Sequence, residues 1–547
     1  MVCEPFCGAG RRRAVTMATL ARLRVEADNG RMRPAPFPRR IAALALVFAT
    51  AAAQASPWFD AGARPGPRAH EAVALLAAAP EHGLVAEDYR VAALAQALDA
   101  AAHTPSREAA MRLEAELDAA MRRYLADLHQ GRLDPRTLYR SLTLPERPPF
   151  DARAALDAGL AAGSLALAVR RAEPLLPQYA ELRQALARYR TLEHDPAWAA
   201  PLPPLPQAGR TRKLEPGAAW PGLPALAARL VALGDLPAGT RAGPVYAEPL
   251  LGGVRRFQQR HGVSADGVIG AATFSRLEVK PAARAAQLVL ALERLRWTPL
   301  LESRRMVVVN IPEFVLRAYE VQDGRIDIAQ RMRVVVGQAL DKRTPLIDAE
   351  LRAVEFSPYW NVPPSIVRSE TLPKLRRDPG YLTREGFEFV AADGSVHGEV
   401  SAEALDALAT GRWRIRQRPG PRNALGDIKF VFPNAEQIYL HHTPSTGLFA
   451  RDRRDFSHGC VRVEDPLALA MFVLRDMPDW PEARIREAMD AGESRTLRLT
   501  TPVRVLIAYG TALVKDGQVF FFDDIYRQDP RLQAALRERA APAARAD

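Results

Sequence analysis

A multidomain α+β protein is what this sequence predicts, and three observations predict it. The chain has 547 residues, beyond the roughly 250 to 300 at which a single hydrophobic core stops growing. From Trp58 to about Arg190 apolar residues recur at three- and four-residue intervals, the period of packed helices. From Arg305 onward that period gives way to short apolar or alternating runs punctuated by Pro and Gly, the pattern of strands. The composition, 48% hydrophobic and 25% charged, is that of a globular chain and not a disordered one.

In chain order, Arg39 and Arg40 precede the apolar run Ile41 to Ala53. Ala53-Gln54-Ala55 then has the small-x-small form of a cleavage site before Ser56, so residues 1–55 read as a signal peptide for export. The region before Met32 is long and arginine-rich for a leader, which makes Met32 an alternative start. The apolar run is shorter than the ~20 residues a bilayer crossing needs; cleavage, or retention as an inner-membrane anchor, are both open. Residues 57–200 form an expected helical domain: Leu113, Leu117, Met121, Tyr124, Leu125 and Leu128 line one helix face, and Gly131 stops the helix. The stiff segment Pro201 to Pro206 marks a boundary.

A second unit is expected over 205–280, with helices at Leu223 to Leu233 and Leu250 to His261, the latter ended by Gly262. A connecting helix follows over 281–304, then a β-rich domain over 305–530. Met306 to Asn310, Phe314 to Val321 and Ile326 to Val336 are its first strands, broken at Pro312-Glu313, Asp323-Gly324 and Gly337. Pro363 and Pro364 forbid a regular central strand past Val362 and open a polar, partly helical insertion over about 365–411. Strand-like sequence returns at Trp413, at Ile428 to Phe432, at Leu497 to Ala508 with a break or edge at Pro502, and at Gln518 to Phe522. These last runs are expected to complete the same sheet, leaving 531–547 as a C-terminal tail.

The chemistry concentrates at Phe456-Ser457-His458-Gly459-Cys460-Val461-Arg462-Val463. Cys460 is one of three cysteines, and Cys3 and Cys7 lie within the leader. A lone thiol cannot form an internal disulfide and is a candidate nucleophile. It needs a neighbouring base or cation to favour the thiolate, and His441, His442 and His458 are near in sequence. Ile438-Tyr439-Leu440 reads as a short strand with His441 at its end, and Thr443 to Phe456 as a loop returning Cys460 beside it. Gly459, lacking a side chain, would let a carbonyl approach the surrounding amides and form an oxyanion site. The competing readings are a small buried hydrophobe at Cys460 and a zinc site from the three histidines and Cys460, which no Cys-x-x-Cys or His-Glu-x-x-His spacing supports.

Tyr439-Leu440-His441-His442-Thr443-Pro444 followed by Ser457-His458-Gly459-Cys460-Val461-Arg462 resembles the signature of the L,D-transpeptidases, cysteine enzymes that remodel bacterial peptidoglycan. The resemblance implies a YkuD-type catalytic domain with Cys460 as nucleophile and His441 as general base; Gly459 and His458 are counted with the catalytic residues, His458 shaping the turn. Substrate-binding residues are expected at Arg462, Tyr439, Trp360 and Ser457, with no cofactor or metal: Arg462, if it points into the pocket, is a cation for a stem carboxylate and otherwise an ordinary surface or fold-stabilising arginine, and Trp360 is by resemblance a substrate contact and otherwise a packing residue. Ala126 to Pro135 is similar to the helical scaffold of the large members, and residues 365–411 to their capping insertion.

Gly253 to Gly262 with Asp266-Gly267-Val268-Ile269-Gly270 and Thr273 resembles a small peptidoglycan-binding domain. The implied partner is a peptidoglycan stem peptide, the implied place the periplasm. About half of the +12 formal charge leaves with the leader, whose nine arginines face only Glu4, Glu26 and Asp28; the mildly basic remainder suits an anionic wall polymer and gives no reason to expect nucleic acid. A cysteine peptidase or amidase acting on wall peptides, or a non-catalytic wall-binding protein, are the other classes the same residues allow.

Overall fold

The computed structural model describes residues 56–139, 150–298 and 302–540. The expected signal peptide and the last seven residues of the expected tail lie outside them. Helix α1 (Arg107–Gln130) starts where the Ser106 hydroxyl accepts the Ala109 amide and buries the predicted stripe from Leu113 to Leu128. It stops at Gly131, whose φ of +88° favours glycine; a Cβ there would lie 2.6 Å from the Trp297 indole nitrogen. Glu293 of the connecting helix closes this end by accepting the Arg132 amide at 2.6 Å.

Helices α2 (Pro177–Leu192) and α3 (Pro281–Arg296) share one core with α1, through Leu182, Leu186, Leu288 and Leu292. Between α2 and α3 in the chain, residues 202–277 build a separate small core around Trp220, Leu226, Tyr246, Val254 and Phe257.

Residues 305–508 contribute a large mixed sheet, so the chain is a multidomain α+β protein. Its strands are β1 (Arg305–Asn310), β2 (Val315–Gln322), β3 (Arg325–Gly337), β4 (Ile347–Phe356), β5 (Ile428–Val431), β6 (Leu440–His441), β7 (Asp455–Ser457), β8 (Val461–Val463) and β9 (Arg495–Ala508). They lie in the order β7-β3-β8-β6-β5-β4-β9-β1-β2, and pairing of β2 back onto β3 closes the sheet on itself. Most pairs are antiparallel; β6–β8, β3–β7 and β1–β9 are parallel. The enclosed core contains Val334, Val354, Phe430, Leu440, Val461 and Val463, covered by Leu469, Phe472 and Trp480. Pro502 sits where β9 slips register against β4, between Arg498 and Val503.

Three expectations change. Gln518–Phe521 does not join this sheet; it forms a hairpin with Ala512–Lys515 whose Val514, Val519 and Phe521 pack into the helical core. An alternating run only says that one face is buried, and here the helices bury it. The insertion is wider than 365–411, since Trp360–Asn361 and Arg414–Gln417 belong to its own four-stranded sheet and its core runs from Val362 to Ile415. The expected tail begins as helix α4 (Gln528–Ala540), with Leu532 and Leu536 buried against Leu138, Tyr139 and Trp297.

Candidate active site

The site is built on the parallel pair β6–β8. Leu440 lies opposite Val461 and His441 opposite Arg462, and the Val461 amide donates to the Tyr439 carbonyl at 3.1 Å. Side chains alternate along each strand. Leu440, Val461 and Val463 therefore fill the core, while Tyr439, His441, Cys460 and Arg462 share the opposite face. On the next strand Lys429 lies opposite His441; its ammonium sits 4.6 Å from the Tyr439 ring and 2.9 Å from Glu355.

His441 is buried, at 4% exposure. Its Nδ1–H donates to the His442 carbonyl, a tautomer that leaves Nε2 as the basic nitrogen. Burial first, then the charge of Arg462, pushes its pKa down to about 3, so at neutral pH it is uncharged and able to accept a proton. Cys460 is half-buried, with its Sγ 3.9 Å from the Gln437 carbonyl. Burial raises its pKa above the ordinary thiol value, outweighing the hydrogen bonds from Tyr439 and the charges of Lys429 and Arg462. The resting pair is thus a neutral thiol and a neutral imidazole, where the sequence leads one to expect a favoured thiolate. The Tyr439 hydroxyl faces the thiol, and burial and Cys460 together raise its pKa.

The other motif residues take different places from those expected. Ser457 is 2% exposed; its hydroxyl donates to the Cys460 carbonyl at 2.5 Å and accepts the Gly459 amide at 3.2 Å. It braces the turn from inside and is not open to substrate. That bond also occupies the Gly459 N–H, so Gly459 is not the oxyanion donor. Its φ of +122° and the Ile438 side chain 3.1 Å from a would-be Cβ explain the glycine on local grounds. Its carbonyl accepts from the Thr344 hydroxyl at 2.7 Å.

His458 points away from proton transfer: its Nε2 lies 2.5 Å from Glu370 of the insertion, which also holds Lys342 at 3.3 Å. Trp360 pairs with Gln417 in the insertion sheet, its ring 6.2 Å from Phe387, so packing accounts for it. Arg462 is half-buried; burial lowers its pKa and the thiol opposes this, and its Nε is sealed with no hydrogen-bond partner among the described residues.

With His442 against Asp427 at 2.7 Å and His458 against Glu370, the histidines do not converge. Among the described residues no group of three or more His, Cys, Asp or Glu is placed to hold a metal ion. A cavity of about 990 Å³ lies elsewhere, lined by Arg294, Glu313, Arg317 and Lys515 among others. Lys429, Thr344 and Glu370 escaped the reading of the sequence. Alternation along 428–431 could have placed Lys429 on the site's face; Thr344 and Glu370 are too distant in the chain to signal themselves.

In the 202–277 unit, Gln258, Arg260, His261 and Thr273 of the wall-binding-like motif are buried, while Arg255, Arg256 and Gln259 are exposed. The Gln258 side-chain amide donates to Asp266, the Val268 carbonyl and Thr273, and its oxygen accepts the Gly267 amide. Arg260 pairs with Asp235 and donates to the Val519 carbonyl of the hairpin.

Residues 304–505 match a family model described as the L,D-transpeptidase catalytic domain, YkuD, and residues 48–186 one described as a scaffold domain. A curated protein of Haemophilus influenzae named "Putative L,D-transpeptidase" is 32% identical over 249 residues, 46% of this chain and 49% of that protein. The chain thus spans about half the length of this relative. A crystal structure from Clostridium acetobutylicum, described as a fused Zn-dependent amidase/peptidase/peptidoglycan-binding domain-containing protein, aligns with 26% of this chain and 70% of its own. Its 13% identity and TM-score of 0.12 carry no argument. Residues 304–505 are thus similar to the YkuD L,D-transpeptidase catalytic domain, and His441 and Cys460 lie on paired strands within that stretch.

Proposed function

We propose that the protein is an exported L,D-transpeptidase that forms 3→3 cross-links between peptidoglycan stems through a Cys460 thioester. The observation that carries this reading is the single sheet face shared by Cys460, Tyr439 and a buried, neutral His441 whose Nδ1 is already engaged. His441 Nε2 takes the thiol proton as sulfur attacks the carbonyl joining the third stem residue to a terminal D-alanine. Because both groups rest neutral, proton transfer accompanies the attack instead of preceding it. The tetrahedral oxyanion falls to the Cys460 amide, the Gly459 amide being occupied.

The C–N bond breaks, His441 returns the proton to the departing D-alanine amine, and a thioester remains. The side-chain amine of diaminopimelate on a second stem then attacks; His441 accepts its proton, the C–S bond breaks and the thiol is restored. Arg462, a cation on this face whose Nε has no hydrogen-bond partner among the described residues, is the group to hold a stem carboxylate. The leader at 1–55 supports a periplasmic location, cleaved or anchored. The 205–280 unit is read as wall-binding only by its resemblance.

Purified protein incubated with disaccharide-tetrapeptides should give 3→3 dimers and free D-alanine by mass spectrometry. Cys460→Ala should abolish both without changing the melting profile. Dimers formed by the variant would refute the thioester route; tripeptides without dimers would point to a hydrolase.

A further inference from the structure

The His442 carbonyl is what fixes the His441 ring, so the base is only as well oriented as that carbonyl. Three contacts hold the His442 residue. Its amide donates to the Ile428 carbonyl at 3.0 Å. Its Nδ1 lies 2.7 Å from Oδ1 of Asp427 as an ion-pair contact, and both facing atoms are sealed from water and make no hydrogen bond among the described residues. Its side chain lies against Gly426, where a Cβ would come within 2.6 Å of Nδ1 and 2.7 Å of the His442 Cβ.

Asp427 is itself anchored through its backbone: its carbonyl accepts the Ser357 amide at 2.7 Å, and Asn423 carries the turn before it. Such a water-free polar contact between two side chains is weak evidence for stability, because desolvation offsets its attraction. Its place one residue from the base points to orientation.

We infer that Asp427, acting through the His442 imidazole, is a positioning residue that holds the carbonyl to which His441 donates and thereby keeps Nε2 of His441 aimed at the thiol. The contacts run from Asp427 to the His442 ring and from the His442 carbonyl to His441, whose sheet face Cys460 shares, and neither Asp427 nor the His442 ring touches the reacting atoms. Gly426 belongs to the same unit because only glycine leaves room for the ring. This rests on the reading of His441 as general base, and it gives the second histidine of the His441-His442 pair a role of its own.

The test uses the full chain with nitrogen-15-labelled histidine and the variants Asp427→Asn, His442→Leu and His442→Asn, with His441→Gln to assign the His441 signals. In the wild type His441 should show the Nδ1–H tautomer. Asp427→Asn and His442→Leu should lose that preference and lower kcat in the dimer assay, by up to about a hundredfold, with KM nearly unchanged. His442→Asn, whose side-chain amide can donate to Asp427, should restore most of both. A His441 tautomer and kcat unchanged in Asp427→Asn would overturn the inference; this isosteric variant carries the test if His442→Leu does not fold. The tautomer is read without substrate, so a wild type that forms no dimers would refute the cross-linking activity while leaving the positioning role decided by the spectra.

Discussion

Cys460 and His441 are chemically quiet at rest, and burial is the cause. The half-buried thiol loses more by desolvation than the hydrogen bonds of Tyr439 and the charges of Lys429 and Arg462 return, so its pKa lies above the ordinary value. The same burial holds His441 near 3 and neutral. The state suits concerted transfer, since a base that is already protonated cannot accept the thiol proton. Alkylation of Cys460 by iodoacetamide should therefore rise with pH along a curve whose midpoint lies above about 8.5, the free-cysteine value. A midpoint near neutrality would mean a preformed thiolate–imidazolium pair and overturn this account. Ser457 and Gly459 show the other side of residue-scale reasoning: each is required at the turn, but for the turn's internal hydrogen bonds and backbone angle.

At the scale of elements, the turn that carries Cys460 is clasped by the corner between β3 and β4. The Gly337 amide donates to the Thr344 hydroxyl at 2.8 Å, which in turn donates to the Gly459 carbonyl; Tyr526 donates to the Gly337 carbonyl at 2.6 Å. A Cβ on Gly337 would fall 1.9 Å from the Lys342 carbonyl oxygen and 2.7 Å from the Thr344 amide, both backbone atoms that cannot swing aside. Gly337→Ala should force the corner open, lowering thermal stability by about 1–3 kcal/mol, typical of overpacking, and cutting cross-linking by more than that loss of folded protein explains. A variant with wild-type melting and rate would show that the corner does not hold the site.

At the scale of the whole molecule, the helices and the sheet are joined by segments far apart in the chain. The helical core takes in Met306, Leu506 and the hairpin residues Val514 and Phe521, and α4 closes a further cluster with Leu138 and Trp297. Leu532 is fully buried there. Leu532→Ala should destabilise the protein by about 2–5 kcal/mol, the range for emptying a buried leucine site, and a chemical-denaturation midpoint equal to wild type would show the end of the chain to be dispensable.

What the sequence by itself determined is what neighbours in sequence encode. The α+β class, the long helix ended by Gly131, the strand carrying His441 and the order of histidine, loop and cysteine all follow from periodicity, turn residues and spacing. Only the tertiary structure decided the rest: which sheet Gln518–Phe521 joins, that Ser457 and the Gly459 amide face inward, that Glu370 and Asp427 reach His458 and His442, and that thiol and imidazole rest neutral. The reason is physical. Backbone preference and side-chain alternation act over a few residues, whereas desolvation and the choice of a hydrogen-bond partner depend on whatever is packed alongside, however far away it lies in the chain.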